Sequence, residues 1–129
     1  MSENGLITAY PAAATLSRLQ TAPQAAGLAV FPTFDHADAA RKVGLAVRPT
    51  TVVAFGNPAA GTKLMQSNQM VGIDLPLKIL VWENESGTAK PTYNDPGWLA
   101  TRHTLRAETE QVIAGENLLA LLTQKAAKG

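Results

Sequence analysis

Three short polar clusters in this chain of 129 residues combine groups that could bind a ligand or move a proton. Asp35-His36 sets a carboxylate beside an imidazole, with the guanidinium of Arg48 further along. A carboxylate that orients the ring and a cation that holds an anionic substrate would together do acid–base chemistry. Gly56-Asn57-Pro58-Ala59-Ala60-Gly61-Thr62 follows a strand and opens a helix, where backbone N–H groups and the positive end of the helix dipole favour an anion. It is not a Walker loop, because Lys63 falls outside the glycine spacing that motif requires. Tyr93-Asn94-Asp95-Pro96 carries more polar groups than a helix cap needs, since Asp95 alone suffices for the cap. Asn57, Thr62, Asp74, Tyr93, Asn94 and Asp95 are therefore the candidate ligand contacts, and Asp35, His36 and Arg48 the candidate catalytic set.

Each cluster also has a plainer account. Asp35, Asn57 and Asp95 are good N-cap residues, and two of them precede a proline suited to the first helical position. Capping explains Asp35 and Asn57 more simply than a site does, whereas an Asx turn with a surface tyrosine explains 93–96 no better than a site. Arg102-His103 reads as a pair of solvated helix-terminal groups, with Asp95 and His103 as a second acid–base pairing. Two histidines far apart among scattered carboxylates show no metal-ligand spacing, and no cofactor is implied. Trp82 and Trp98 read as core or interface residues.

These groups need a scaffold, and the composition supports one. With 46% hydrophobic and 16% charged residues the chain lies outside the disordered class, and its length fits a single domain over 1–129. The absence of cysteine excludes a disulfide framework and a thiolate nucleophile. A net charge of +1 with scattered Lys and Arg gives no basic stripe for nucleic acid or an anionic membrane. No apolar stretch approaches the ~20 residues that span a bilayer, and the first residues lack a secretory pattern, so a cytoplasmic location is expected.

Periodicity predicts a strand over 6–10 and a helix over 12–26 kinked at Pro23, with Ala13, Leu16, Leu19 and Ala26 on one side. A strand over 28–34 follows, with Pro32 marking an edge or a bulge, then a helical turn over 35–43. The β-branched run 50–55 is the clearest strand. A helix capped by Asn57 should continue through Met65, and a loop with Asp74-Leu75-Pro76 leads to strand 77–83. A turn at 84–87 makes a hairpin with 88–93, where Pro91 repeats the edge-or-bulge problem. After a turn bearing Trp98 and Leu99, a last helix over 107–125 should bury Val112, Ile113, Leu118, Leu119, Leu121 and Leu122. The order β-α-β-β-α-β-β-α predicts an α+β fold, an antiparallel sheet with helices on one face. In a meander the ends of 50–55 and 88–93 share one sheet edge, which would gather Asn57 and Thr62 with Tyr93, Asn94 and Asp95, and put Asp35, His36 and Arg48 at the other edge.

The strings Thr33-Phe34-Asp35-His36, Arg48-Pro49-Thr50, Phe55 through Thr62, Leu64-Met65, Asp74-Leu75-Pro76-Leu77-Lys78, Trp82-Glu83, Tyr93-Asn94-Asp95-Pro96 and Arg102-His103, in this order, resemble the bacterial and archaeal family called domain of unknown function 302. The resemblance runs from about Gly27 to His103. It implies a small TATA-binding-protein-like domain, a curved antiparallel sheet covered by helices, often as a homodimer, and it implies no activity. DNA binding is not expected, because the basic surface it requires is missing. Three functions follow in order of preference: a binding module for a small polar or anionic metabolite, a homodimeric interaction protein without a ligand pocket, and an acid–base enzyme using Asp35, His36 and Arg48.

Overall fold

The run of β-branched residues ending at Phe55 forms β4, Thr50–Gly56, which pairs antiparallel with β5, Leu77–Glu83, from Thr50 opposite Trp82 to Phe55 opposite Leu77. In this computed structural model, residues 3–5, 12–25, 28–105 and 110–128 are described. β5 turns into β6, Ala89–Asn94, through a hairpin in which the Asn84 side-chain oxygen accepts the N–H groups of Ser86 and Thr88. Gly87 takes the positive φ of +78° that this turn requires. β1, Glu3–Gly5, pairs with the end of β6, and the strand expected over 6–10 lies outside the described residues.

At the other edge the expected strand over 28–34 is broken in two. β2, Ala29–Val30, and β3, Phe34–Asp35, both pair with β4, and Pro32 lies between them. A proline has no N–H for a ladder, so the pairing stops and restarts. Pro91 is accommodated inside β6 opposite Val81, and β1 reaches only Thr92 to Asn94, so no described strand flanks the proline on its outer side. The sheet order is β1-β6-β5-β4-β2, antiparallel throughout, with β3 also on β4. This is an open α+β arrangement, and the meander β4-β5-β6 places the ends of β4 and β6 at one edge as expected.

Two helices cover one face of the sheet, α1, Ala12–Ala25, and the last helix of the chain, Glu110–Lys128. Leu19 from the first and Leu119, Leu122 and Ala126 from the last pack on Val53, Phe55, Ile79 and Val81, the residues that alternate toward that face. Pro23 lies in the last turn of α1, so the helix neither ends there nor restarts as a second piece. Its inward positions are Ala12, Thr15 and Leu19, while Ala13 is exposed and Ala26 lies outside the described residues. In the last helix the buried stripe is Val112, Leu119, Leu122, Ala126 and Ala127, with Leu118 half-buried. Ile113 and Leu121, expected in the core, are 47% and 46% exposed because the 3.6-residue period carries them off that stripe.

Shorter helices complete the chain. α2, His36–Lys42, is capped by Asp35, and α3, Pro58–Ser67, by Asn57. A 3-10 segment, Gln69–Asp74, occupies what the sequence left as loop, with the Asn68 side chain accepting from the Met70 N–H at its start. α4, Pro96–Arg102, is capped by Asp95, and the last helix is α5. Gly115 of α5 is buried against Leu77 and Pro96, where a Cβ would make ordinary 3.5 Å contacts with both side chains.

Candidate functional site

The end of β4 fixes the start of α3. Asn57 Oδ1 accepts the N–H groups of Ala59 at 2.9 Å and Ala60 at 3.4 Å, and the Asn57 carbonyl accepts from Gly61. Pro58 has no N–H. The donors at this helix start are thus taken up inside the chain, and the anion-binding potential of the motif is largely spent on the cap. The oxygen of the Asn57 amide is engaged, while its Nδ2 group makes no hydrogen bond among the described residues.

From this start α3 and the 3-10 segment swing away from the sheet as an arm, and none of α3's residues is buried. A groove of about 580 Å³ separates the arm from the body. Leu64, Met65 and Leu75 face it from the arm, Leu77 from β5, Phe31 from the stretch between β2 and β3, and Leu118 from α5. Among the described residues its polar side chains are Asn57, Thr62 and Gln111, and no Asp, Glu, Lys, Arg or His lines it. A cavity of about 30 Å³, lined by Val71, Leu99 and Val112 among others, lies next to it and shares Leu64, Leu75, Leu77, Gln111 and Gly115. The groove is of the size and mostly apolar character of small-molecule sites, with a few polar groups to orient an occupant.

What holds the arm is polar. Asp74, at the end of the 3-10 segment, meets His103 Nε2 at 2.5 Å and accepts two bonds from Arg102 at 3.0 and 3.1 Å. Asn68, between α3 and the 3-10 segment, donates to the His103 carbonyl at 2.7 Å, and Thr104 Oγ1 donates to the same oxygen. Thr104 has a φ of +54°, which ends α4 in the left-handed conformation common after helices. His103 is 6% exposed and the Asp74 side chain 17%, so the sequence-based picture of a solvated Arg102-His103 pair is corrected for the histidine. Val71 adds a buried apolar anchor to this clasp.

The candidate ligand contacts are therefore divided. Asn57 and Thr62 line the groove, Asp74 belongs to the clasp, and Tyr93, Asn94 and Asp95 lie at the same sheet edge without lining the groove. Asp95 Oδ1 accepts the Gly97 N–H at 2.9 Å, and a Cβ on Gly97 would lie 3.3 Å from both Asp95 Oδ1 and Glu116 Oε1. Burial, and then the negative charges of Asp95 and Glu116, raise the Tyr93 phenol above its ordinary value, so it remains a neutral donor. The candidate catalytic residues are not joined. Asp35 accepts the Asp38 N–H as a cap, His36 is exposed at the first position of α2, and Arg48 donates to the Glu83 carbonyl. His103 contacts Asp74 rather than Asp95. Among the described residues no group of three or more His, Cys, Asp or Glu could hold a metal. Sequence reasoning missed Leu64, Met65 and Leu75 as groove residues, because an apolar side chain lining a groove reads like one in a core, and Gln111, a lone polar residue on the last helix, gave no signal.

The family model for "Domain of unknown function DUF302" matches residues 6–124. Two proteins named "Fluoride-specific ion channel FluC 1", from Brucella suis biovar 1 and Brucella abortus biovar 1, are each 40% identical over 114 residues. The alignment covers 86% of this chain but 45% and 42% of theirs, so the chain spans less than half the length of these relatives. The crystal structure of an uncharacterised conserved DUF302 protein from Bacillus stearothermophilus matches with a TM-score of 0.86 and 23% identity, covering 98% of both chains, which is a likeness of fold.

Two measurements test this geometry. Asn57→Ala should lower the unfolding free energy by about 1 kcal/mol and Asn57→Asp should change it by only a few tenths, as read from urea unfolding, because Asp caps as well as Asn. Asp74→Ala removes a partner of the buried His103 ring and should cost roughly 1–3 kcal/mol in the same assay.

Proposed function

The chain belongs to the DUF302 family, and from that premise we propose that it is a binding module for a small molecule, held in the groove between the α3 arm and α5. The observation that carries this is the groove itself, about 580 Å³ of mostly apolar space beside an arm that buries none of α3's residues. Apolar walls in water favour either collapse or an occupant. The acid–base alternative finds little support, since no hydrogen bond or ion pair joins Asp35, His36 and Arg48 among the described residues. The relatives named as fluoride-specific ion channels are much longer than the part they share with this chain. No helix among the described residues is long and apolar enough to cross a membrane. We accordingly read the shared part as an accessory binding module in those proteins, distinct from the part that conducts.

A second reading, a homodimer, rests on the sheet face opposite α1 and α5. There Phe34, Val52 and Leu80 stand opposite one another across β3, β4 and β5, and Phe34 is 62% exposed. Such a row is a natural contact for a second copy. The two readings use different surfaces and are compatible.

Gly61 offers the test of the groove. A Cβ there would make an ordinary 3.8 Å contact with Leu75, so alanine fits the helix and should raise stability by up to ~1 kcal/mol. Gly61→Leu should fill the groove, keep the fold, and abolish the fluorescence gain of the neutral probe N-phenylnaphthylamine seen with the wild type; unchanged probe binding would remove the groove from consideration. For the homodimer, light scattering should give a dimer mass for the wild type and a monomer mass for Phe34→Lys, and a monomeric wild type at high concentration would end that reading.

A further inference from the structure

We infer that the groove takes an uncharged molecule with an apolar body and a hydrogen-bond acceptor, the class of long-chain alcohols, ketones and esters; this deepens, and rests on, the proposal that the groove binds a small molecule. The walls decide the body. Phe31, Leu64, Met65, Leu75, Leu77 and Leu118 offer hydrocarbon, an aromatic ring and a thioether, and the adjoining cavity is likewise lined by aliphatic groups. An apolar body leaving water for these walls gains in proportion to the area it buries.

Charge complementarity decides the sign. Among the described residues no ionisable side chain lines the groove, so a carboxylate or ammonium seated among them would lose hydration without meeting a counter-charge. The start of α3 offers little compensation to an anion, because Pro58 has no N–H and those of Ala59, Ala60 and Gly61 are bonded to Asn57. Lys78, the cation nearest in sequence to the groove residue Leu77, directs its Nζ to the carbonyl oxygens of Asp74 and Pro76 and does not line the groove.

The cap decides the head group. The Asn57 amide must turn its oxygen to the Ala59 and Ala60 N–H groups, which leaves the Nδ2 donors as the face it offers a ligand. Thr62 Oγ1, which has no partner among the described residues, can donate beside it. A ligand that presents a hydroxyl or carbonyl oxygen satisfies these donors, whereas a head group that only donates leaves Asn57 unpaired.

The test is displacement of N-phenylnaphthylamine from the full chain by decanol, decanoate and decylammonium, three probes that share one body and differ in the head. Decanol is expected to displace the dye at a concentration at least about tenfold below that of either ion. Asn57→Asp keeps the cap but replaces the donors with a carboxylate, so it should weaken a fourth probe, 2-decanone, whose carbonyl can only accept, about tenfold, weaken decanoate further and improve decylammonium. Displacement by either ion as strong as by decanol, or 2-decanone binding unchanged in Asn57→Asp, would overturn the ligand class while leaving the groove as a site. Failure of the dye to bind, or binding that Gly61→Leu does not alter, would instead overturn the groove reading itself. A change of mass in light scattering for Gly61→Leu would assign the groove to a second copy of the chain and overturn both.

Discussion

An apolar groove in water persists only if its walls are fixed by something other than contact with each other, and here that is the clasp around His103. Burial of hydrocarbon would draw the α3 arm onto α5, since Leu64 and Met65 share the groove with Leu118, Ala114 and Gly115 of that helix. The arm is instead tied at its far end, where Asp74 meets His103 and Arg102 and where Asn68 donates to the His103 carbonyl. At its near end the Asn57 cap and Pro58 set the direction in which α3 leaves β4. A chain segment held at both ends by directional bonds can span a gap that non-directional packing would close. The buried acceptor of the clasp cannot be given up lightly, because a His103 ring that is 6% exposed would be left without its partner.

The sheet supplies the platform for both ends. Its antiparallel order brings the end of β4, the start of β5 and the end of β6 to one edge, so α3 and α4 start near each other and the clasp can join the arm to the end of α4. The core adjoins this edge: Phe55, Ile79, Leu119 and Leu122 are buried on the face covered by α1 and α5, and the groove residues Leu77 and Leu118 pack against them. The opposite face is differently finished. Trp82 is partly covered there by its own hydrogen bond to Thr92 Oγ1 and by the Lys90 ammonium 5.6 Å from the ring centroid, while Phe34 is left largely exposed.

What was legible in the sequence was what is local. Asn-Pro and Asp-Pro before a helix, Asp35 before α2, the β-branched run of β4 and the Asn84 turn each carry their cause within a few residues, and each appears in the structure where the pattern put it. Pro32 marked an edge or a bulge for the same reason, but the single strand expected over 28–34 is split there into β2 and β3. The clasp was not, because Asp74 and His103 stand 29 positions apart and each has a bland local explanation. Nor was the groove, since a leucine facing empty space and a leucine facing another leucine have the same period. Ile113 and Leu121 show the converse error: apolar type suggested the core, but their angular position on α5 is outside the buried stripe.

The polar motifs nevertheless bear on the chemistry of the groove, through what capping leaves over. A side-chain amide has an acceptor end and a donor end, and a helix start consumes only the acceptor. Asn57, placed as a cap beside the groove, therefore differs from Asp35 and Asp95, which as carboxylates have no donor to offer, and from Asn68, whose amide donor is spent on the His103 carbonyl. Asp35 caps a helix on the exposed surface, and Asp95 caps one beside Tyr93 and Glu116. Among the described caps, Asn57 alone lines the apolar groove, where a carboxylate would have placed an uncompensated charge against hydrocarbon. The choice between Asn and Asp, nearly neutral for the helix, is thus not neutral for the space next to it.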